Sequence, residues 1–228
     1  MDWAGRVVSL SSLLDSQTIN RKSKVEKVTG MTLEQFMQIH IFTPLSMNST
    51  TFHPETRPDF LSRSMDLAWR DRSNNSLALG KNPWGFPAKD ECGGVGLYST
   101  ADDYAKLLKA FLADGGQIMK RESVDEILTS QLEDPKYFLD VLQGPARAQL
   151  GQTWPQEAQA TFGLSASINL EDFQGRRCKN SANWSGMPGL HAVSISPLIF
   201  ETLLSDKPVG GSRDGYCGVI DYAGTSAR

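Results

Sequence analysis

The sequence is poor in the features that mark a chain for a membrane, a metal or a nucleic acid. No apolar run approaches the roughly 18 residues a membrane span needs, so no membrane partner is expected. Met1–Arg6 lacks the charged-then-apolar order of a secretory leader, which makes the cytoplasm the expected compartment. Cysteines are three (Cys92, Cys178, Cys217), and histidines are three (His40, His53, His191). Neither set has metal-ligand spacing and no Cys-x-x-Cys occurs, so free thiols, no metal and no other cofactor are expected. The 23 basic and 26 acidic residues leave a net charge of −3 and are interspersed, without the basic stripe that grips phosphate backbones. Nucleic acid is therefore not an expected partner. Three Asn-x-Ser/Thr sequons, at Asn48, Asn74 and Asn183, read as chance matches where no leader is seen.

Two catalytic motifs are missing as well. There is no Gly-x-Ser-x-Gly elbow, which excludes the nucleophile of an α/β-hydrolase. The glycines at 93, 94 and 96 are not followed by Gly-Lys-Ser/Thr, and Asp102 and Asp103 stand where a phosphate would need positive charge. A phosphate cradle fails on both counts, which leaves a tight loop that packs a helix onto its neighbour.

What is present fits a globular α+β chain. With 39% hydrophobic and 21% charged residues, 228 residues suffice for a real core. Thr32-Leu33-Glu34-Gln35 forms a capping box, and Leu33, Phe36, Met37 and His40 then recur at helical spacing. That makes His40 a core or rim residue. A second helix is predicted from Ala101 to Ala113, with Asp102 and Asp103 in its first turn, a stripe of Tyr104, Leu107, Leu108, Phe111 and Leu112, and Gly115-Gly116 ending it. A third is predicted from Ser123, using Val124, Ile127 and Leu128. Phe162 to Leu170 alternates as a strand with one buried face, Val193 and Ile195 do the same, and Leu198–Leu204 is a compact apolar run. Helices early and strands late favour α+β over alternating βαβ units. Residues 52–88 show no period and read as one long irregular segment.

Asn183-Trp184-Ser185-Gly186-Met187-Pro188-Gly189 lies just ahead of a predicted strand. A Trp beside Ser-Gly at a strand edge suits a pocket wall, with backbone amides free to face a substrate oxygen, although such runs are more often turns.

Five segments in order carry a resemblance. They are Asp2-Trp3-Ala4-Gly5-Arg6, Val28-Thr29-Gly30-Met31-Thr32-Leu33-Glu34, Ile41-Phe42-Thr43-Pro44-Leu45-Ser46-Met47, Gly93-Gly94-Val95-Gly96-Leu97-Tyr98-Ser99-Thr100 and Trp184-Ser185-Gly186. Together they resemble the β-lactamase-related serine hydrolases, in particular the fungal esterases and transesterases of the lovastatin acyltransferase type, over residues 25–204 and the first seven. The resemblance implies a β-lactamase/transpeptidase-like α+β fold, antiparallel sheet with helices, here with an incomplete amino-terminal part. It implies an acyl-enzyme mechanism on small-molecule esters, thioesters or acyl acceptors, with a role in fungal secondary metabolism by analogy. It also implies a nucleophilic Ser in a Ser-x-x-Lys motif and a Tyr just before Asp-Trp, and neither occurs at a matching place. No catalytic residue is therefore carried over. Trp184, Ser185, Gly186 and Met187 remain as the substrate-binding wall, Met187 supplying one oxyanion-hole amide. The chain is expected to be inactive as it stands. The alternatives are a non-catalytic pseudoenzyme or interaction module, and a misassembled gene model.

The expected organisation is a partial domain over residues 1–204 and a divergent, disordered tail over 205–228. Residues 8–24 read as an insert: removing them joins Gly5-Arg6-Val7 to Val25-Glu26-Lys27-Val28 as one family-like helix. Val8-Ser9 can be encoded GTAAGT, an intron donor, and 17 codons is the length of a small intron.

Overall fold

The computed structural model describes residues 7–10, 24–71, 73–80, 86–88, 90–92, 94, 96–113, 115–144, 147, 154–173, 177–186 and 190–194. The chain divides into two compact units, Met1–Lys106 and Leu107–Arg228.

In the first unit, strand β1 (Val7–Leu10) runs antiparallel to β4 (Leu97–Thr100), Val7 opposite Thr100 and Leu10 opposite Leu97. Val8, Ser9 and Leu10, the first residues of the suggested insert, are thus strand residues. Helix α1 (residues 24–29) stops at Gly30, whose φ of +71° costs a glycine little and whose amide donates back to the Glu26 carbonyl. Helix α2 (Leu33–Met37) starts as the sequence predicts. The Gln35 amide donates to the Thr32 hydroxyl at 3.2 Å and the Thr32 amide to the Gln35 side chain at 3.1 Å. Such a box contributes about 1 kcal/mol by satisfying two orphan donors. The helix then widens into a π turn, Gln38–Phe42, which buries Phe42. His40 is exposed beside the Phe36 ring, 4.4 Å between centroids, which fits the rim position.

Phe42, Met47, Phe52 and Phe60 are among the buried apolar residues of this unit. Phe60 lies on a short helix, α3 (Pro58–Leu61), under the Arg57 guanidinium at 4.0 Å and Arg63 at 5.3 Å. The segment 52–88 is not shapeless. It holds α3 and an antiparallel hairpin of β2 (Leu67–Arg70) and β3 (Leu77–Gly80). Between those strands Asp71 accepts from the Ser73 amide and hydroxyl, Asn74 accepts from the Ser76 amide, and Asn75 adopts φ +61°. Asx turns of this kind reverse the chain without an alternating apolar pattern to announce it.

Helix α4 (Ala101–Leu112) follows β4 directly, capped by the Thr100 hydroxyl on the Asp103 amide. Asp103 is buried and does more than complement a helix dipole. It accepts from the Ser49 amide and the Thr50 hydroxyl and pairs with Lys106 at 2.7 Å, tying the turn at 49–50 to the helix. Gly115-Gly116 ends α4 as predicted, and a Cβ at Gly115 would collide with the Met119 carbonyl.

In the second unit, α5 (Arg121–Leu128) starts two residues earlier than predicted and buries Val124. Helix α6 (Lys136–Gln143), unplaced by the sequence reading, turns Phe138, Leu139 and Leu142 onto a core of Trp154, Ala158, Ala160 and Phe173. A four-stranded antiparallel sheet has the order β5 (Ala160–Phe162), β6 (Ser167–Asn169), β7 (Ala182–Gly186), β8 (Leu190–Ser194). The single strand predicted over Phe162–Leu170 is therefore a hairpin. Its reversal is fixed at Gly163, whose amide donates to the Ala166 carbonyl and where a Cβ would strike the Ile127 carbonyl. Val193 lies in β8, while Ile195, Leu198–Leu204 and the tail fall outside the described residues. The expectation of free thiols fails at Cys178, which is disulfide-bonded. Wide spacing in sequence says nothing about proximity in space.

Candidate functional site

The Trp184-Ser185-Gly186 motif lies just ahead of strand β8, as the sequence suggested, and itself closes strand β7. In β7, Trp184 stands opposite Ala192, Ser185 opposite His191 and Gly186 opposite Leu190 of β8. Met187, the remaining residue assigned to the wall, lies outside the described residues. Asn183 explains why this stretch is strand rather than turn. It is buried, it pairs with Val193, and its carbonyl accepts the Ser167 hydroxyl at 2.7 Å, which fastens β7 to β6. Pattern alone misses this, because Asn is a poor strand former until its polar atoms find partners.

Trp184 is half-buried and packs edge-on against Phe162, centroids 5.5 Å apart at 74°. Phe162 in turn meets Phe138 of α6 edge-on at 5.6 Å. Edge-to-face contacts of this kind hold a ring's orientation beyond what area burial alone does. The indole is thus braced from behind through two rings.

The Gly-rich segment belongs to the first unit. Gly96 takes φ +94°, which a side chain would oppose, and Gly94 is buried; Gly93 and Val95 fall outside the described residues. The approach to this turn is anchored by Glu91, a residue the sequence reading did not single out. Its carboxylate accepts the Glu34 amide of α2 at 2.7 Å and is nearly buried. Burial pushes the Glu91 carboxyl up, but bonds from His53, the Glu34 amide and Thr32 outweigh it and hold it below the usual value. The three anchoring residues lie at 34, 53 and 91, far apart in sequence, so no spacing motif could have announced them. Among the described residues no group of His, Cys, Asp and Glu is placed to hold a metal ion, and no helix is long and apolar enough to cross a membrane.

An antiparallel sheet with helices, a strand ending in Trp-Ser-Gly and a Gly-rich turn entering a strand and a capped helix define a β-lactamase/transpeptidase-like fold. The chain belongs to the Beta-lactamase family, whose model matches residues 23–197. Among its relatives, the lovastatin esterase of Penicillium rubens is 30% identical over 190 residues, covering 82% of this chain and 43% of that protein. The acyltransferase mokF of Monascus pilosus is 28% identical over 200 residues, covering 86% and 44%. Unliganded simvastatin synthase of Aspergillus terreus superposes with a TM-score of 0.70 at 28% identity, covering 78% of this chain and 44% of that one. The chain spans less than half the length of these relatives.

Proposed function

We propose that this chain is the carboxy-terminal part of a serine esterase or acyltransferase that acts on small-molecule esters, thioesters or acyl acceptors in fungal secondary metabolism, and that it does not catalyse by itself. The observation that carries the reading is the braced Trp184 at the end of β7, in a chain whose named relatives are an esterase and acyltransferases. In this reading Trp184, Ser185, Gly186 and Met187 are the substrate-binding residues, and the family resemblance assigns the Met187 amide to the oxygen that becomes negative during acyl transfer. Acyl transfer also needs a nucleophile activated by a base, and an unassisted hydroxyl is a poor nucleophile at neutral pH. A Ser-x-x-Lys segment upstream of Met1 supplies it. Water or an alcohol then takes the acyl group from that serine.

A non-catalytic role is favoured by the same absence, if no upstream segment is made. Transcript sequencing separates the two. Our reading expects an in-frame Ser-x-x-Lys codon run upstream of Met1 and a spliced message lacking the 17 codons for residues 8–24. An abundant message that begins at Met1 and retains those codons overturns both points and leaves the non-catalytic reading.

A further inference from the structure

His53 has a carboxylate oxygen against each ring nitrogen. Nε2 lies 2.8 Å from Glu91 Oε1 and Nδ1 lies 3.1 Å from Glu55 Oε1. A neutral imidazole carries one N–H, so its other nitrogen would present a lone pair to a carboxylate. Only the imidazolium donates to both. We propose that His53 is held as an imidazolium and works as a proton-operated pin that fastens the segment leading into the Gly-rich turn to the amino-terminal end of α2.

The connections that make it a pin are continuous. Glu91, on the segment entering the turn, accepts from His53 with one oxygen and from the Glu34 amide with the other. The Glu34 carboxylate accepts the Thr51 hydroxyl at 2.9 Å, the Phe52 amide at 2.8 Å and the Gln38 side chain at 2.9 Å. Thr51 exchanges two backbone bonds with Tyr98 of β4, at 3.0 and 2.9 Å. One ring therefore joins the 3-10 turn Pro54–Thr56, α2 and the approach to β4. The ionisable groups facing the ring are Glu55 on that turn and Glu91 on the approach, with Glu34 one bond behind Glu91.

Electrostatics agrees with the geometry. The Glu91 bond raises the His53 pKa above its ordinary 6.5, burial opposes this, and Glu55 adds to the rise. A group whose pKa is raised on folding stabilises the fold fully below its unfolded value and loses that contribution as pH rises through the folded value. Glu91, whose pKa is lowered, contributes above its ordinary 4.5 and loses that as pH falls through its folded value. The pin is thus strongest between those two ordinary values and releases on the alkaline side as His53 loses its proton. Release leaves Glu55 without its partner, and its Oε2 is already buried without one among the described residues.

The inference stands whether or not the chain belongs to an acyl-transferring enzyme. It is tested on the full chain by following the His53 ring nitrogens by NMR, with melting measured from about pH 6 to about pH 8.5. The expected result is a His53 pKa above 6.5 with both nitrogens protonated at the acid end, and a melting temperature that falls as it titrates. Each unit of pKa elevation corresponds to about a tenfold loss in the folded-to-unfolded ratio across the limb. Exchange of the Glu34 amide should accelerate over the same range beyond its intrinsic pH dependence. His53→Gln should flatten the melting profile. Glu55→Gln, at the more exposed partner, should move the His53 titration down toward 6.5 and serves as the comparison if His53→Gln does not fold. A His53 pKa at or below 6.5, or a parent-like pH slope in the folded His53→Gln or Glu55→Gln variant, overturns the proposal.

Discussion

Purified as given, the chain is expected to turn over p-nitrophenyl esters no faster than buffer and to take up no fluorophosphonate on any serine. The reason is that the sequence holds no Ser-x-x-Lys in which a hydroxyl would be activated. Loss of the nucleophile from a catalytic serine enzyme costs about 10⁶-fold in kcat, leaving only what binding and oxyanion donors supply. Ser185 is the serine that would challenge this, because its register places it opposite His191. In the proposed site, however, Trp184-Ser185-Gly186 presents backbone to the developing oxyanion, and the nucleophile has to approach from across it. Intact mass after phosphonate treatment decides the matter: one equivalent on Ser185, with turnover, contradicts the inactive reading.

Trp154→Ala is expected to remove most of the cooperative melt of the second unit. The indole is 1% exposed and packs on Leu142, Ala158, Ala160 and Phe173, meeting the Phe173 ring edge-on at 5.8 Å. Arg177, itself buried, lies 4.4 Å over it, so truncation removes a ring face from beneath a cation as well as opening a cavity. Replacing a buried Trp by Ala costs about 3–5 kcal/mol, a large part of the roughly 5–15 kcal/mol that holds a domain. Trp154→Phe should cost much less. It keeps an aromatic face under Arg177, and the buried Nε1 it removes has no partner among the described residues. Near-UV circular dichroism on heating compares the two; a parent-like melt for Trp154→Ala contradicts this account of the core.

What could be read from sequence was what is local. The Thr32–Gln35 box, the α4 span and the Gly115 stop each depend on neighbours within a few residues, and the structure has them where the sequence placed them, although the residues α4 buries most are Asp103 and Ala110 rather than the predicted apolar stripe. Alternation was less reliable. Phe162 to Leu170 has the period of one strand, yet close contact with the Ile127 carbonyl leaves room only for glycine at 163 and turns the chain back. The hairpin at 67–80 was hidden because Asx turns, not apolar alternation, build it. At the candidate site the Trp-Ser-Gly motif was visible, but its place at the end of a strand depends on Asn183 being paired across the sheet. The Glu34, His53 and Glu91 cluster was not visible at all, since each residue comes from a different element.

The central claim is that this chain supplies one wall of an acyl-transfer site whose nucleophile comes from elsewhere. The direct measurement is a fusion in which the part of the Penicillium lovastatin esterase upstream of its matched segment is placed before Met1, assayed with p-nitrophenyl butyrate and a fluorophosphonate. The account predicts ester turnover by the fusion and one phosphonate per molecule, on a serine of the added part, with the unfused chain silent. A folded fusion that stays unlabelled, or a label on a serine of this chain, would contradict it.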